Sequence, residues 1–440
     1  MKMNYSIPKL TYLFIFLVAL ANTTYAQELL TVEEAVSIAL ENNFEIRLAK
    51  NELKIDQNGV SLGYAGILPT VQGSITNNNS IQDISQVRSD GTKLELDNGK
   101  NNSLNYGVNL DWTIFDGFGM FARYDQLKEL ENLGEAQLKQ AILDRVGNVM
   151  TIYFELIQQK QELSALDSTL VISKQRVDLA QNRFTIGKSS KLEVLNAQVD
   201  LNTDQTLLLR QIELYTNTKI TLNQVLARDT QTEFEVEDAM LVDKSLMLPE
   251  LEALAKEQNP QLRAQIINKR IAELELKRVR AQRYPILVGT TGYNFNDSES
   301  SLGFTSSASN QGFNYGFSAS VNIFNGFTQN RNEKIAKVQI ENSNLVIEQQ
   351  LDALQSQLAT AYQTYLTNVR LIDLEQRNEA IAKENLEITL EKFRIGTIPT
   401  IEFRTAQLNY INAKVRYSEA IYQAKLSEIT LKQLAGNLSL

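Results

Sequence analysis

The chain has 440 residues, with 43 Lys and Arg against 52 Asp and Glu and a formal charge of −9. That acidity argues against a nucleic-acid partner, whose phosphates call for a basic surface. Histidine and cysteine are both absent; this excludes disulfides, His/Cys metal sites, cysteine nucleophiles and imidazole acid–base chemistry, so no enzyme and no cofactor is expected.

Residues 1–26 read as a secretory signal. Lys2 and Lys9 give a basic start, an apolar run follows from Leu10 to about Ala21, and Thr24-Tyr25-Ala26 offers small residues for cleavage before Gln27. The run is too short for a membrane-spanning helix. No cysteine follows it, so no lipid anchor is expected, and loss of two lysines takes the exported chain to −11.

A helix is expected over about 31–66, closed by Pro69, which also opens a strand at Thr70–Thr76. A polar loop, Asn77–Ser103, leads to a second strand, Tyr106–Ile114. There large apolar residues alternate with Gly107, Asn109, Asp111 and Thr113. Next comes the stretch LDWTIFDGFG (110–119), in which Gly117 permits a turn and Asp116 can cap a helix start. From about Gly119 to Phe184 there is no proline, and at ~1.5 Å per residue such a helix measures ~100 Å. Its apolar positions Ile142, Val146, Val149, Tyr153, Leu156 and Leu163 step in threes, fours and sevens, the spacing of helix-on-helix packing. Gly187 ends it, and another helix spans about 190–228.

The order then repeats. ASVNIFNGFT (319–328) restates residues 110–119, with Asn325 and Gly326 at the junction. KFRIGTIPTIEFRTAQ (392–407) restates RFTIGKSSKLEVLNAQ (183–198), and TLKQLAG (430–436) restates TLNQVLA (221–227). Residues 255–289 overlay 39–73 without a gap, matching Asn259 with Asn43, Arg263 with Arg47, Pro285 with Pro69 and Gly289 with Gly73. The second set of elements is a helix at about 249–283, a strand from Ile286 to Asn296 and a loop at about 297–311. A strand from Phe313 to Ile323, a long helix at about 329–393 with apolar Ile347, Leu351, Leu354, Leu358, Ala361 and Tyr365, and a helix at about 402–436 complete it. The organisation is thus a signal (1–26), a first repeat (27–228), a linker (229–248) and a second repeat with its tail (249–440).

Strands with one aromatic-rich face and one small, polar face fit a transmembrane barrel, with lipid outside and water inside. Four strands cannot close one, because an open edge in lipid leaves backbone groups unsatisfied. Two chains would supply eight strands and three would supply twelve; a water-filled bore favours three. The rival is a non-conducting periplasmic coiled-coil adaptor or stalk, which needs no such strands.

The ordered set of duplicated segments resembles the TolC family of outer membrane efflux proteins over essentially the whole chain after residue 26. The resemblance implies a mainly α protomer with a membrane β part. Three protomers would form a 12-stranded outer-membrane barrel continued by a long periplasmic α-helical barrel. It implies a passive exit duct in the outer membrane, partnered by a periplasmic adaptor and an inner-membrane pump. It also makes the tips at Ile186, Gly187, Ile395 and Gly396 the adaptor-docking surface. Glu193 and Glu402 fall where the family carries acidic gate positions, with Asn196 and Thr405 three residues on. Thr405 replaces a second acid found in many members. Phe393 and Ile398 stand where some members carry Tyr and Arg, so a gate held more by apolar packing is expected.

Overall fold

The computed structural model describes residues 28–301 and 305–438. The proposed signal, 1–26, lies outside the described residues. The elements in chain order are β1 (Glu28–Leu30), α1 (Val32–Asn42), α2 (Phe44–Gly59), β2 (Thr70–Val87), β3 (Lys93–Phe115), α3 (Gly119–Thr185) and α4 (Lys191–Val225). Then follow β4 (Phe234–Val236), α5 (Leu248–Gln258), α6 (Pro260–Ala281), β5 (Ile286–Ser300), β6 (Ser307–Ser320), α7 (Thr328–Ile395) and α8 (Thr400–Leu434). The chain is mainly helical, and among the described residues no helix is long and apolar enough to cross a membrane.

The helices expected at 31–66 and 249–283 are each broken in two, at Asn43 and Asn259. These are the same asparagines that align between the halves. Asn43 Oδ1 accepts from the backbone of Glu45 and Ile46 at 2.9 and 3.2 Å; Asn259 Oδ1 accepts from Leu262 at 2.9 Å, with Pro260 in the first turn of α6. A side-chain acceptor facing orphan N–H groups restarts a helix. Neither helix reaches its proline. α2 stops at Gly59 and α6 at Ala281, and short turns lead to Pro69 and Pro285, each immediately before a strand. Gly59-Val-Ser-Leu-Gly63 has the spelling of a nucleophile elbow, but Ser61 Oγ only accepts from the Tyr64 backbone in the turn after α2, at 3.1 Å, and the chain holds no histidine to act as base.

The described residues divide into two compact units. One takes those within Met1–Arg47, Ala141–Gln258 and Gln355–Leu440, and the other takes Leu48–Gln140 and Asn259–Leu354.

The second unit contains a four-stranded antiparallel sheet of order β2-β3-β5-β6. The stretches 77–103 and 297–311, expected as loops, are largely strand: β2 pairs with β3 as far out as Val87↔Lys93, and β5 with β6 as far as Glu299↔Ser307. Their Asn/Ser-rich composition suggested a loop, but a ladder needs only backbone partners, and outside a packed face period-two apolarity is not required. The first turn is Arg88–Thr92, with Gly91 at φ 86° and Asp90 Oδ1 accepting from Thr92 N at 2.9 Å. At its other end β6 stops at Ser320, so Val321–Ile323 lie outside the strand.

Both faces of the sheet follow the alternation. Ile75, Tyr106 and Phe295 share a row, as do Val108, Tyr293 and Phe313, and the Tyr106 and Phe295 rings stack at 4.8 Å. On the other face Asn294 Nδ2 donates to Asn109 Oδ1 at 3.0 Å and to Asn314 Oδ1 at 2.9 Å. Gly107 and Gly292 make room for this ladder, since a Cβ on either would come within 2.1 and 2.2 Å of an asparagine oxygen.

The duplicated Phe-Asp/Asn-Gly-Phe stretch is a strand-to-helix turn of one design. Gly117 and Gly326 have φ 73° and 64°, and each is followed by a second left-handed residue, Phe118 at 67° and Phe327 at 60°. The two phenylalanines of each copy meet edge to face, Phe115–Phe118 at 5.2 Å and Phe324–Phe327 at 5.4 Å. That ring pair helps offset the cost of a left-handed non-glycine residue. Asn325 Oδ1 caps α7 through Gln329 N at 3.3 Å. Asp116 does not cap α3; its Oδ1 is buried without a hydrogen-bond partner.

In the first unit the apolar stripe of α3 is the core: Val146, Val149, Tyr153 and Leu156 pack with Leu30, Val36, Leu222, Phe234 and Ile429. β1 and β4, too short to show in the sequence, pair in parallel as Leu30↔Val236. The 229–248 segment is pinned by side chains of the long helices. Lys160 Nζ donates to Val236 O at 2.7 Å, Tyr365 Oη to Asp243 O at 2.6 Å, and buried Glu428 accepts from Asp243 N at 3.0 Å while pairing with Lys425 and Lys432.

Candidate functional site

The site is built where α3 meets α4 and α7 meets α8. Both long helices end alike. Gly187, at φ 75°, and Gly396, at φ 82°, take the left-handed position after the last turn. The following amides reach back five residues, Lys188 N to Arg183 O at 2.8 Å and Thr397 N to Lys392 O at 3.0 Å. This closure satisfies the last helical carbonyls and needs the φ > 0 that glycine supplies. Ile186 and Ile395 stand exposed on these tips.

Glu193 and Glu402 each lie in the first turn of the returning helix, yet their surroundings differ. Glu193 is half-buried and crosses to the other hairpin: it accepts from Thr400 Oγ1, and from Ser189 Oγ at 2.7 Å. Burial pushes its pKa up, but those two bonds and the nearby Arg183 and Arg176 charges outweigh burial and hold it below the ordinary glutamate value. Glu402, Asn196 and Thr405 are exposed. The two equivalent acids are therefore not equivalent in structure; one ties hairpin to hairpin and the other faces outward.

Apolar side chains, among them Phe393 and Ile398, pack together at the tips. Phe393 and Phe403 stack at 5.0 Å within a cluster that includes Leu386 and Ala406, with Ile398 against it. Arg183 lies 4.7 Å over the Phe393 ring and donates to Phe393 O. Beside them lies a buried polar junction of α3, α4 and α8, which the expectation of apolar packing did not include. Arg404 grips Asp204 bidentately at 2.8 and 2.7 Å. Ser173 Oγ donates to Asp204 Oδ2 at 2.5 Å, Gln407 Nε2 donates to Ser173 Oγ at 3.0 Å, and Arg176 pairs with Asp200. Arg176, Ser173, Asp204, Arg404 and Gln407 are all buried. A signal was available: the buried positions of α4 include Ala197, Asp204, Gln211 and Thr218, a strict seven-residue step occupied mostly by polar residues.

Among the described residues no group of His, Cys, Asp or Glu could hold a metal ion. In this arrangement the hydroxyls of Ser189 and Ser173 donate to carboxylates that Thr400 and Arg404 also engage. What it can do is fasten two hairpins together and present carboxylate, amide and aliphatic groups at their ends.

The family model described as "Outer membrane efflux protein" matches residues 35–228 and 251–437. The chain is 24% identical over 315 residues to "Outer membrane protein TolC" of Vibrio cholerae serotype O1, covering 69% of each chain. It is 19% identical over 415 residues to "Proteases secretion protein PrtF" of Dickeya chrysanthemi, covering 92% of this chain and 88% of that one. Among solved structures, the CmeC outer membrane channel of Campylobacter jejuni superposes with a TM-score of 0.77 at 17% identity, over 99% of this chain and 93% of that one.

Proposed function

The chain belongs to the outer membrane efflux protein family, and from that premise we propose that three copies close a 12-stranded barrel, each copy supplying β2, β3, β5 and β6. The protein is an outer-membrane exit duct for efflux or type I secretion, with a periplasmic helical part, and it is not an enzyme. The observation that carries the trimer is the sheet itself. Its order β2-β3-β5-β6 leaves β2 and β6 at the edges, and the aromatic face of Tyr106, Tyr293, Phe313, Tyr315 and Phe317 is uncovered. Edges and apolar face together find partners only if sister strands continue the ladder within lipid.

In this reading residues 27–228 and 249–440 are two structural repeats joined by 229–248. The tips at Ile186, Gly187, Ile395 and Gly396 receive a periplasmic adaptor that links the duct to an inner-membrane pump. The first turns beyond them form the aperture, where Glu402 projects with Thr405 and Asn196, and Glu193 holds the hairpins in register.

The chain has no native cysteine, so engineered pairs report cleanly. Variants carrying one cysteine on β2 and one on β6, the pair stepped along the two strands, should give β2–β6 cross-links between copies and a covalent trimer on a denaturing gel. A covalent dimer as end point, or cross-linking only within one chain, would overturn the trimeric barrel.

A further inference from the structure

The strand register places every side chain of the sheet on one face or the other. On the polar face lie alternate residues of β2 from Thr70 to Ser80, of β3 from Asn101 to Thr113, of β5 from Thr290 to Ser300 and of β6 from Ala308 to Gly316. These are Thr, Ser, Asn, Gln, Gly and Ala, with a single ionisable exception, Asp111. Its row reads Thr70–Asp111–Thr290–Gly316 across the four strands. No other side chain in that row is larger than threonine, and Asp111 is exposed. In the adjacent row, Gln72–Asn109–Gly292–Asn314, the asparagines are held by Asn294 rather than turned toward Asp111.

We infer that Asp111 is a charge-selecting residue of the duct: one carboxylate per copy, set as a ring of three among the neutral rows of the barrel's polar face, favouring cations over anions. This rests on the trimeric-barrel reading, in which the polar face lines the water-filled lumen. A fixed charge in a channel raises the local concentration of counter-ions, and salt screens the effect with a Debye length of ~10 Å at 0.1 M and ~30 Å at 0.01 M. The ring therefore acts most strongly in dilute salt, and it acts in series with whatever charge Glu402 presents at the tips. The rows around it serve a different end, since amides and hydroxyls hydrate cargo of either sign without holding it.

The test is single-channel reversal potential in planar bilayers under a potassium chloride gradient, using the full chain. Wild type, Asp111→Asn and Asp111→Asn/Asn109→Asp are compared, each first checked for assembly by cross-linking. Asp111→Asn should lower the potassium-to-chloride permeability ratio by about twofold near 0.1 M salt and by more near 0.01 M, in keeping with the longer screening length. Moving the charge one row, with Asn109→Asp, should restore most of the ratio, which a purely structural role for Asp111 would not allow. If Asp111→Asn channels open with an unchanged ratio in dilute salt, the inference fails while the duct stands. If the wild-type chain forms no conducting oligomer, the barrel reading itself falls.

Discussion

Removing Asp204 should loosen the tips more than any other single truncation there. In Asp204→Ala, Arg404 keeps its buried position but loses both bonds of its bidentate pair, at 2.8 and 2.7 Å. Two charge-assisted bonds of about 1.5–3 kcal/mol each give about 3–6 kcal/mol. Breaking a buried pair by deleting one partner costs about 3–5 kcal/mol by the independent route of the uncompensated charge left behind. The two estimates agree because both count the same stranded guanidinium. The nearby carboxylate of Asp200, 3.8 Å from Arg404 Nε, takes up part of the deficit, so the lower end applies. A large multi-unit membrane protein does not melt in two states, so the assay is local: hydrogen exchange of the α8 amides from Glu402 to Ile411. At a tenfold change per ~1.4 kcal/mol, exchange in Asp204→Ala should quicken by about 100-fold or more, up to the intrinsic rate. Asp204→Leu/Arg404→Leu should lie much closer to wild type than either single change, because it removes the unpaired charge along with the pair. Exchange in Asp204→Ala within threefold of wild type, or a double variant as fast as the product of the singles, would refute the reasoning.

Three further outcomes are expected. Because the Glu193 pKa is depressed in the folded tip, its contribution is complete above the ordinary glutamate range and is lost as pH falls through the lower folded value; exchange at Thr400–Arg404, corrected for intrinsic rates, should accelerate between about pH 5 and 3, and Glu193→Gln should flatten that profile. Gly326→Ala, at φ 64° with open space around it, should cost only the left-handed penalty of about 1–2 kcal/mol, whereas Gly117→Ala would also press a Cβ to 2.3 Å from Ala281 O and 2.8 Å from Tyr284 Cβ and should reduce the amount of folded protein in the outer membrane far more. Asn43→Ala removes a cap and the 2.7 Å bond to Val225 O, worth together about 1–3 kcal/mol; exchange at Glu45–Arg47 should speed accordingly, and an unchanged rate there would show that the helix break needs no cap.

What the sequence made legible depended on whether a signal repeats or alternates against water. The two long helices announce themselves because proline is missing and apolar residues keep a seven-residue step, and α3 and α7 begin and end within two residues of the reading. The strands were legible only where an aromatic face alternates with a polar one; their outer parts are rich in Asn, Ser, Asp and Gly with only scattered apolar residues such as Ile81, Ile84, Leu94 and Leu96, and there composition suggests a loop while the backbone continues the ladder. The breaks at Asn43 and Asn259 were printed in the alignment of the halves, but as identities, and an identity does not say that its side chain caps a helix. At the tips the glycines and the two glutamates were visible as motif positions. Their division of labour was not, because Ser189 and Glu193 belong to one hairpin and Thr400, 207 residues beyond Glu193, to the other, and which hydroxyl reaches which acid is a property of packing. The Arg404–Asp204 junction escaped for a related reason: seams are sought as apolar stripes, and here the stripe on α4 carries Asp, Gln and Thr. A polar residue on a helix seam is tolerated only with a partner supplied in one register. Residues that looked least like core in the sequence thus help fix how the hairpins meet, and any displacement of one hairpin along the other has to break the Asp204 pair together with the Glu193–Thr400 and Arg183–Phe393 contacts.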